Sequence, residues 1–286
     1  MNKLILGTVQ LGTKYGINNS SGQPDMNESL KILDKAYHLG VRSLDTAESY
    51  GDSYKIIGQY HKKFPSKIFK IFDKSSGLEI KDFEDKIEKK LKFLKINSFD
   101  GYMFHSTKIF QRNIHIHKDI YELKKRGLIK KIGISVYTND EINFLINEGF
   151  QFDFIQMPFN VLDNENIRKK VIKKMINNNI DIHVRSIFLQ GIFYLNYNDF
   201  PKKLEPLKKY ISSIKEICNT TKYNIDDILL TYPKTKKYIK KIIFGIDNIN
   251  QLEKNLHTYD KQSDIPVNDI EKINVKEKDL LNPSLW

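Results

Sequence analysis

The sequence predicts a closed (β/α)8 TIM barrel, an α/β fold in a single domain. Eight short apolar runs of β type follow one another, each succeeded by a longer helical pattern, and no break in composition divides residues 1–286. The rival is an open, doubly wound sheet. It would carry a glycine-rich phosphate loop after its first strand, and GTVQLGTKYG (7–16) does not match G-x-G-x-x-G.

The strands are expected at 3–8, 41–46, 67–74, 99–105, 130–135, 152–159, 180–186 and 241–246, where Ile, Val, Phe and Leu cluster in short runs. Helical patterns fill the intervals at 28–39, 53–63, 81–94, 117–126, 139–147, 164–178, 203–218, 225–231 and 248–257. In the third interval Ile87, Leu91 and Leu94 recur at helical spacing and predict one buried stripe. Thr138 with Asn139 marks the start of DEINFLI, and Asp163 the start of NENIRKKVIKKMI. Asn248 with Gln251 three residues later reads as a variant capping box. Residues 258–286 are polar and are expected to form a C-terminal extension packed under or across the barrel.

The formal charge is +12, but it rests on 42 Lys and only 5 Arg. Clustered Arg interleaved with aromatics would argue for nucleic acid. Pairs such as Lys89-Lys90, Lys124-Lys125 and Lys173-Lys174 instead read as solvated outer helix faces. A nucleic-acid partner is therefore not expected. Cys218 is the single cysteine, which excludes an intramolecular disulfide and a cysteine metal cage and suits a reducing, cytoplasmic setting. The N-terminal MNKLILGTVQLG is too briefly apolar for a signal peptide, and no run is long enough to span a bilayer. His115 and His117 lack a carboxylate at ligand spacing, so no metal is expected.

In such barrels the chemistry sits at the C-terminal ends of the strands and in the loops beyond them. Asp45 ends the second strand with Tyr50 just past it, Lys74 ends the third, and His105 ends the fourth. Consecutive strands thus bring a carboxylate, a phenol, an ammonium and an imidazole to one mouth.

That order resembles the aldo-keto reductases over nearly the whole chain. LDTAESYG (44–51) resembles the family's Asp-Thr-Ala-x-x-Tyr-Gly signature, and KKIGIS (130–135) its fifth-strand motif. IQMPFNVLD (155–163) is similar to its sixth-strand segment, and IIFGIDNINQLEKNL (242–256) to the segment holding the adenosine end of the cofactor. The resemblance implies an NAD(P)H-dependent carbonyl reductase. NADP(H) is the family default and NAD(H) the alternative, and the partner is a small carbonyl compound with no obligate protein partner. A non-catalytic regulatory subunit that binds the cofactor is the competing implication.

It implies further that Tyr50 is the general acid, its phenol lowered by Lys74, with Asp45 holding the ammonium and His105 orienting the substrate oxygen. The nicotinamide would lie beside Gly7, Thr8, Asp45, Ser135, Gln156, Arg185 and Ser186, with Ser135 and Gln156 holding the carboxamide. Leu189 and Gly191 would allow close approach of the pyrophosphate. Gly245, Asp247, Gln251, Lys254 and Asn255 would meet the adenosine. Val136 stands where the family often has Asn, Arg185 where many members stack a Tyr, and the basic pair that clasps a 2′-phosphate is missing. Asp247 would either suit a free 2′-hydroxyl or only assist the cap at Asn248. The long first loop, with Tyr15 and Ile17 as candidate walls, is similar to loops of bacterial members associated with surface sugars, which implies a sugar-like aldehyde or ketone. The alternative is a loop that only covers the barrel.

Overall fold

The structure, a computed structural model, describes residues 3–76, 83–261 and 264–286. Eight parallel strands pair in chain order and close: β1 (Leu4–Gly7), β2 (Ser43–Ala47), β3 (Lys70–Ser75), β4 (Gly101–Phe104), β5 (Ile132–Ser135), β6 (Phe154–Pro158), β7 (Asp181–Arg185) and β8 (Ile239–Phe244). β8 returns to β1 through Ile5 and Ile243. The first four helices are the single turn α1 (Val9–Gly12), α2 (Met26–His38), α3 (Ser53–Lys63) and α4 (Phe83–Leu94). α5 (Thr107–Arg112), α6 (His117–Lys125), α7 (Asn139–Asn147) and α8 (Glu165–Asn177) follow. α9 (Lys208–Thr220), α10 (Ile225–Thr235), α11 (Ile249–Asp260) and α12 (Val267–Glu271) complete the set. Among the described residues no helix is long and apolar enough to cross a membrane.

Strand alternation decides what reaches the site. Ile5, Phe72, Met103, Phe154 and Ile243 fill the barrel, while a larger apolar cluster lies between strands and helices. Phe72 points inward, so Lys74 two residues on does too, and Asp73 faces the helices. On β7, His183 stacks on Phe154 inside the barrel at 4.4 Å, which aims Arg185 inward at the C-terminal mouth.

Several local expectations need correction. α8 is capped by Asn164, whose side chain accepts from the Asn166 N–H, and not by Asp163. Asp163 is fully buried and instead holds Arg168 through two bonds, Nε to Oδ1 at 2.7 Å and Nη2 to Oδ2 at 2.5 Å. Thr138 caps α7 with a full capping box to Glu141. At α11 Asn248 is the cap, but the Gln251 side chain reaches the Asp247 N–H at 2.8 Å. The helix expected at 203–218 is split, because Pro206 lies in a 3-10 turn, Lys202–Leu207, that precedes α9. Of the helix expected at 81–94, residues 81–82 lie outside the described residues.

The segment after α11 packs across the flank of the helical layer. Asn164 donates to the Ile273 carbonyl at 2.8 Å, Lys236 pairs with Glu271, and α12 lies against α9.

Candidate active site

One cleft of about 550 Å3 opens at the C-terminal mouth. Asp45, Tyr50, Lys74 and His105 all line it. Tyr50 is placed by a crossing of two loops that only glycines permit. A Cβ on Gly12 would sit 1.8 Å from the Tyr50 carbonyl oxygen, and one on Gly51 would sit 2.3 Å from that of Gly12. The Asp52 N–H then bonds the Gly12 carbonyl at 3.1 Å, which fastens the Tyr50 loop to α1.

The four groups form a connected set. Lys74 is buried and donates to Asp45 Oδ1 and, at 3.3 Å, to the Tyr50 hydroxyl. Gln156 Nε2 donates to Asp45 Oδ2 at 2.8 Å, so both carboxylate oxygens are used. The Tyr50 and His105 rings meet edge to face with centroids 6.0 Å apart. Burial works against the Lys74 ammonium, but Asp45 and Tyr50 outweigh it and hold the group above its ordinary value. Burial pushes the Tyr50 phenol up, and the pull of Lys74 does not cancel that push. Lys74 does pull the phenol down, as expected, but burial outweighs it and the net direction is upward. Much of the lysine's charge is already engaged by Asp45. His105 is held down to about 3 by burial and by the charges of Lys74 and Arg185, so its imidazole is neutral near neutrality.

Of the residues expected along the cofactor, Gly7, Ser135, Arg185, Ser186, Leu189, Gly191, Gly245, Asp247, Gln251, Lys254 and Asn255 line the same cleft. Thr8 and Gln156 do not. Thr8 turns its hydroxyl to the Asp45 carbonyl at 3.0 Å and to Ser53 Oγ at 2.6 Å. Gln156 is fully buried; with Nε2 given to Asp45, its Oε1 has no partner among the described residues. Val136 is buried as well and offers only its carbonyl, which accepts from Arg185 Nη2 at 3.1 Å. Arg185 stacks on Tyr137 with its Cζ 4.1 Å from the ring centroid.

In the loop after β7, Gln190 and Gly191 are left-handed at φ 55 and 84. A Cβ on Gly191 would meet Asn18 at 2.8 Å, so this glycine serves the packing of two loops. Tyr15 lines the cleft as expected, but Ile17 packs on the core instead.

Sequence reading misses Tyr194 and Asp226 at the far rim. The Tyr194 hydroxyl donates to Asp226 Oδ1 at 2.6 Å, and Lys254 pairs with Asp226 Oδ2 at 2.6 Å. It also misplaces Lys90, which is not a solvated outer-face lysine. Lys90 is largely buried and pairs with Glu48 and, at 3.5 Å, with Asp73. The signal is present in the spacing: Lys90 stands three residues after Ile87 and four before Leu94, on the core-facing stripe.

A barrel with ionisable groups converging at its C-terminal mouth defines an enzyme-type α/β barrel. The family model described as "Aldo/keto reductase family" matches residues 3–275. The chain belongs to the aldo/keto reductase family, whose members are oxidoreductases. It is 25% identical over 281 residues to an uncharacterised oxidoreductase of Bacillus subtilis, covering 90% of each chain. Its fold is similar to a holo-form aldo-keto reductase from Bacillus halodurans, with a TM-score of 0.75, 18% identity and coverage of 96% and 94%. It is also similar to a glycerol dehydrogenase from Gluconobacter oxydans, with a TM-score of 0.72, 16% identity and coverage of 98% and 91%.

Proposed function

We propose that this chain is an NAD(P)H-dependent carbonyl reductase that acts in the cytoplasm on a small, hydroxylated aldehyde or ketone. The Lys74 ammonium, bonded at once to Asp45 and to the Tyr50 hydroxyl inside a cleft, carries this reading. The cofactor fits the residues present. Gln156 Oε1 is a buried acceptor without a partner among the described residues, directly beside Ser135 in the β5–β6 register, and an amide N–H would satisfy it. Gly7, Ser135 and Arg185 would hold the nicotinamide end, and Asp247, Gln251 and Asn255 the adenosine end. The bound cofactor would supply the hydride.

Tyr50 would hand its proton to the carbonyl oxygen as negative charge develops there. Lys74 would stabilise the phenolate left behind. Neutral His105 would donate to the same oxygen and orient it. Tyr15, Asn18, Asn19 and Gln190 give the cleft polar walls suited to hydroxyl groups. The glycerol dehydrogenase among the fold relatives agrees with that substrate class. The test is a cofactor titration by fluorescence, followed by turnover of a panel of aldehydes and keto sugars. Cofactor binding with no turnover anywhere in the panel would favour a regulatory subunit instead.

The adenosine rim argues for tolerance of NADH. Asp226 engages Lys254, while Asp247 keeps a carboxylate on the cleft that is bonded only by Gln251 Nε2 at 3.2 Å among the described residues. Two carboxylates against one lysine disfavour a 2′-phosphate. Asp247→Ser is expected to shift the NADPH/NADH ratio of dissociation constants toward NADPH by roughly fivefold, the effect of about 1 kcal/mol between charges in a solvated setting. Fluorescence titration of both proteins with both cofactors measures it. An unchanged ratio would leave Asp247 as a partner of Gln251 only.

A further inference from the structure

Glu48 lies between the carboxylate and the phenol of the site, on the loop that leaves β2, yet it does not line the cleft. Two of its contacts run to the end of the strand that carries Lys74. The Glu48 N–H donates to the Lys74 carbonyl at 3.3 Å, and its Oε2 accepts from the Ser76 N–H at 3.1 Å. Glu48 therefore grips the chain on both sides of Ser75, the last residue of β3. Two residues later the same loop delivers Tyr50.

Lys90 of α4 secures this clamp from behind. Its ammonium pairs with Glu48 Oε1, lies 3.5 Å from Asp73 Oδ2, and donates to the Tyr102 hydroxyl at 3.4 Å. Asp73 is fully buried and accepts from the Tyr54 hydroxyl at 2.5 Å. The loop, β3, β4, α3 and α4 thus meet in one polar knot on the helix side of β3, directly behind Lys74. The knot runs from a partly exposed Glu48 to a fully buried Asp73, and moving Lys90 strands the buried Asp73 carboxylate, which ties the loop to the helix side of β3.

We propose that Glu48, held by Lys90, is a positioning residue that fixes the Tyr50 hydroxyl at its bonding distance from Lys74. The proposal rests on the carbonyl-reductase reading. Without the clamp the Tyr50 loop remains tied to α1, so the ring stays in the cleft but loses its registration with β3. A misplacement of roughly 1 Å costs on the order of a hundredfold in rate. Cofactor binding is left alone, because Glu48 does not reach the cleft.

The experiment compares wild type, Glu48→Ala, Glu48→Gln and Tyr50→Phe. It measures cofactor dissociation constants, thermal midpoints, and single-turnover rates in light and heavy water. Glu48→Ala is expected to lower the single-turnover rate by about tenfold to a hundredfold with an unchanged cofactor constant. Its solvent isotope effect should rise, because proton delivery from a displaced phenol becomes limiting. Glu48→Gln keeps an acceptor for the Ser76 N–H and should fall between the two; it carries the test if the alanine variant does not fold. A rate that stays at the wild-type value overturns the proposal. So does a rate that falls with the folded fraction while the isotope effect stays constant, since that is what a purely structural role produces. Wild-type turnover by Tyr50→Phe would instead overturn the reductase reading itself.

Discussion

Tyr50→Phe is expected to lower turnover by about a thousandfold, within the range a positioned general acid supplies. The substitution removes one oxygen and keeps the ring, so the edge-to-face contact with His105 survives. What disappears is the hydroxyl that accepts from Lys74 at 3.3 Å, the proposed proton donor. Because burial pushes the phenol up, wild-type Tyr50 keeps its proton throughout the neutral range. The hydroxyl contributes no bond on which the cleft's shape depends, so the cofactor constant should stay within about twofold. Steady-state kinetics on a good aldehyde, beside a fluorescence titration, separate the two quantities. A variant that turns over at close to the wild-type rate would remove Tyr50 from the role of acid.

The parts of this site that the sequence discloses are those that depend on local rules. Lys74 and Arg185 point into the barrel because each stands two residues from an inward-facing ring, Phe72 and His183, and strand alternation is a local property. The four ionisable groups can be gathered at one mouth because they stand at or just beyond the ends of strands that run in order around a barrel. Contacts between distant loops are not legible. Thr8 is expected at the cofactor, but its hydroxyl is taken by Ser53, 45 positions away. Gly191 lines the cleft as expected, but it also leaves room for Asn18, a contact between two loops that the sequence does not announce.

Lys90 is hidden for a different reason. In a chain with 42 lysines, one more on a helix reads as solvated surface. Only its place on the stripe of Ile87 and Leu94 distinguishes it, and that stripe gains meaning once Glu48 and Asp73 are known to face it. Asp163 shows the same limit at a helix start. Asp and Asn are equally good caps, so the adjacent pair Asp163-Asn164 leaves the choice open. Arg168, one turn into the helix, draws Asp163 away and leaves the cap to Asn164.

Lys74→Met tests the electrostatics of the site and is expected to damage both stability and catalysis. Lys74 and Asp45 are each almost fully buried, and removing the cation strands a carboxylate that retains only the Gln156 amide. Breaking such a pair from one side costs about 3–5 kcal/mol. For a domain of this size that corresponds to a fall in thermal midpoint on the order of 10 °C. The sign of the pH dependence follows from Lys74, whose folded value is raised. Its contribution is fully present below the ordinary lysine value and is lost only as pH rises through the folded value. The gap in midpoint between wild type and variant should therefore hold level from about pH 6 to about pH 9. Asp45→Asn added to Lys74→Met removes the stranded charge and should recover most of the midpoint. On the proposed mechanism turnover should not return with it, because a phenolate left on Tyr50 would still have no ammonium beside it. Differential scanning calorimetry and steady-state kinetics on the single and double variants separate the two effects. Recovery of turnover along with stability would mean that Lys74 holds the barrel mouth together and takes no part in the chemistry of Tyr50.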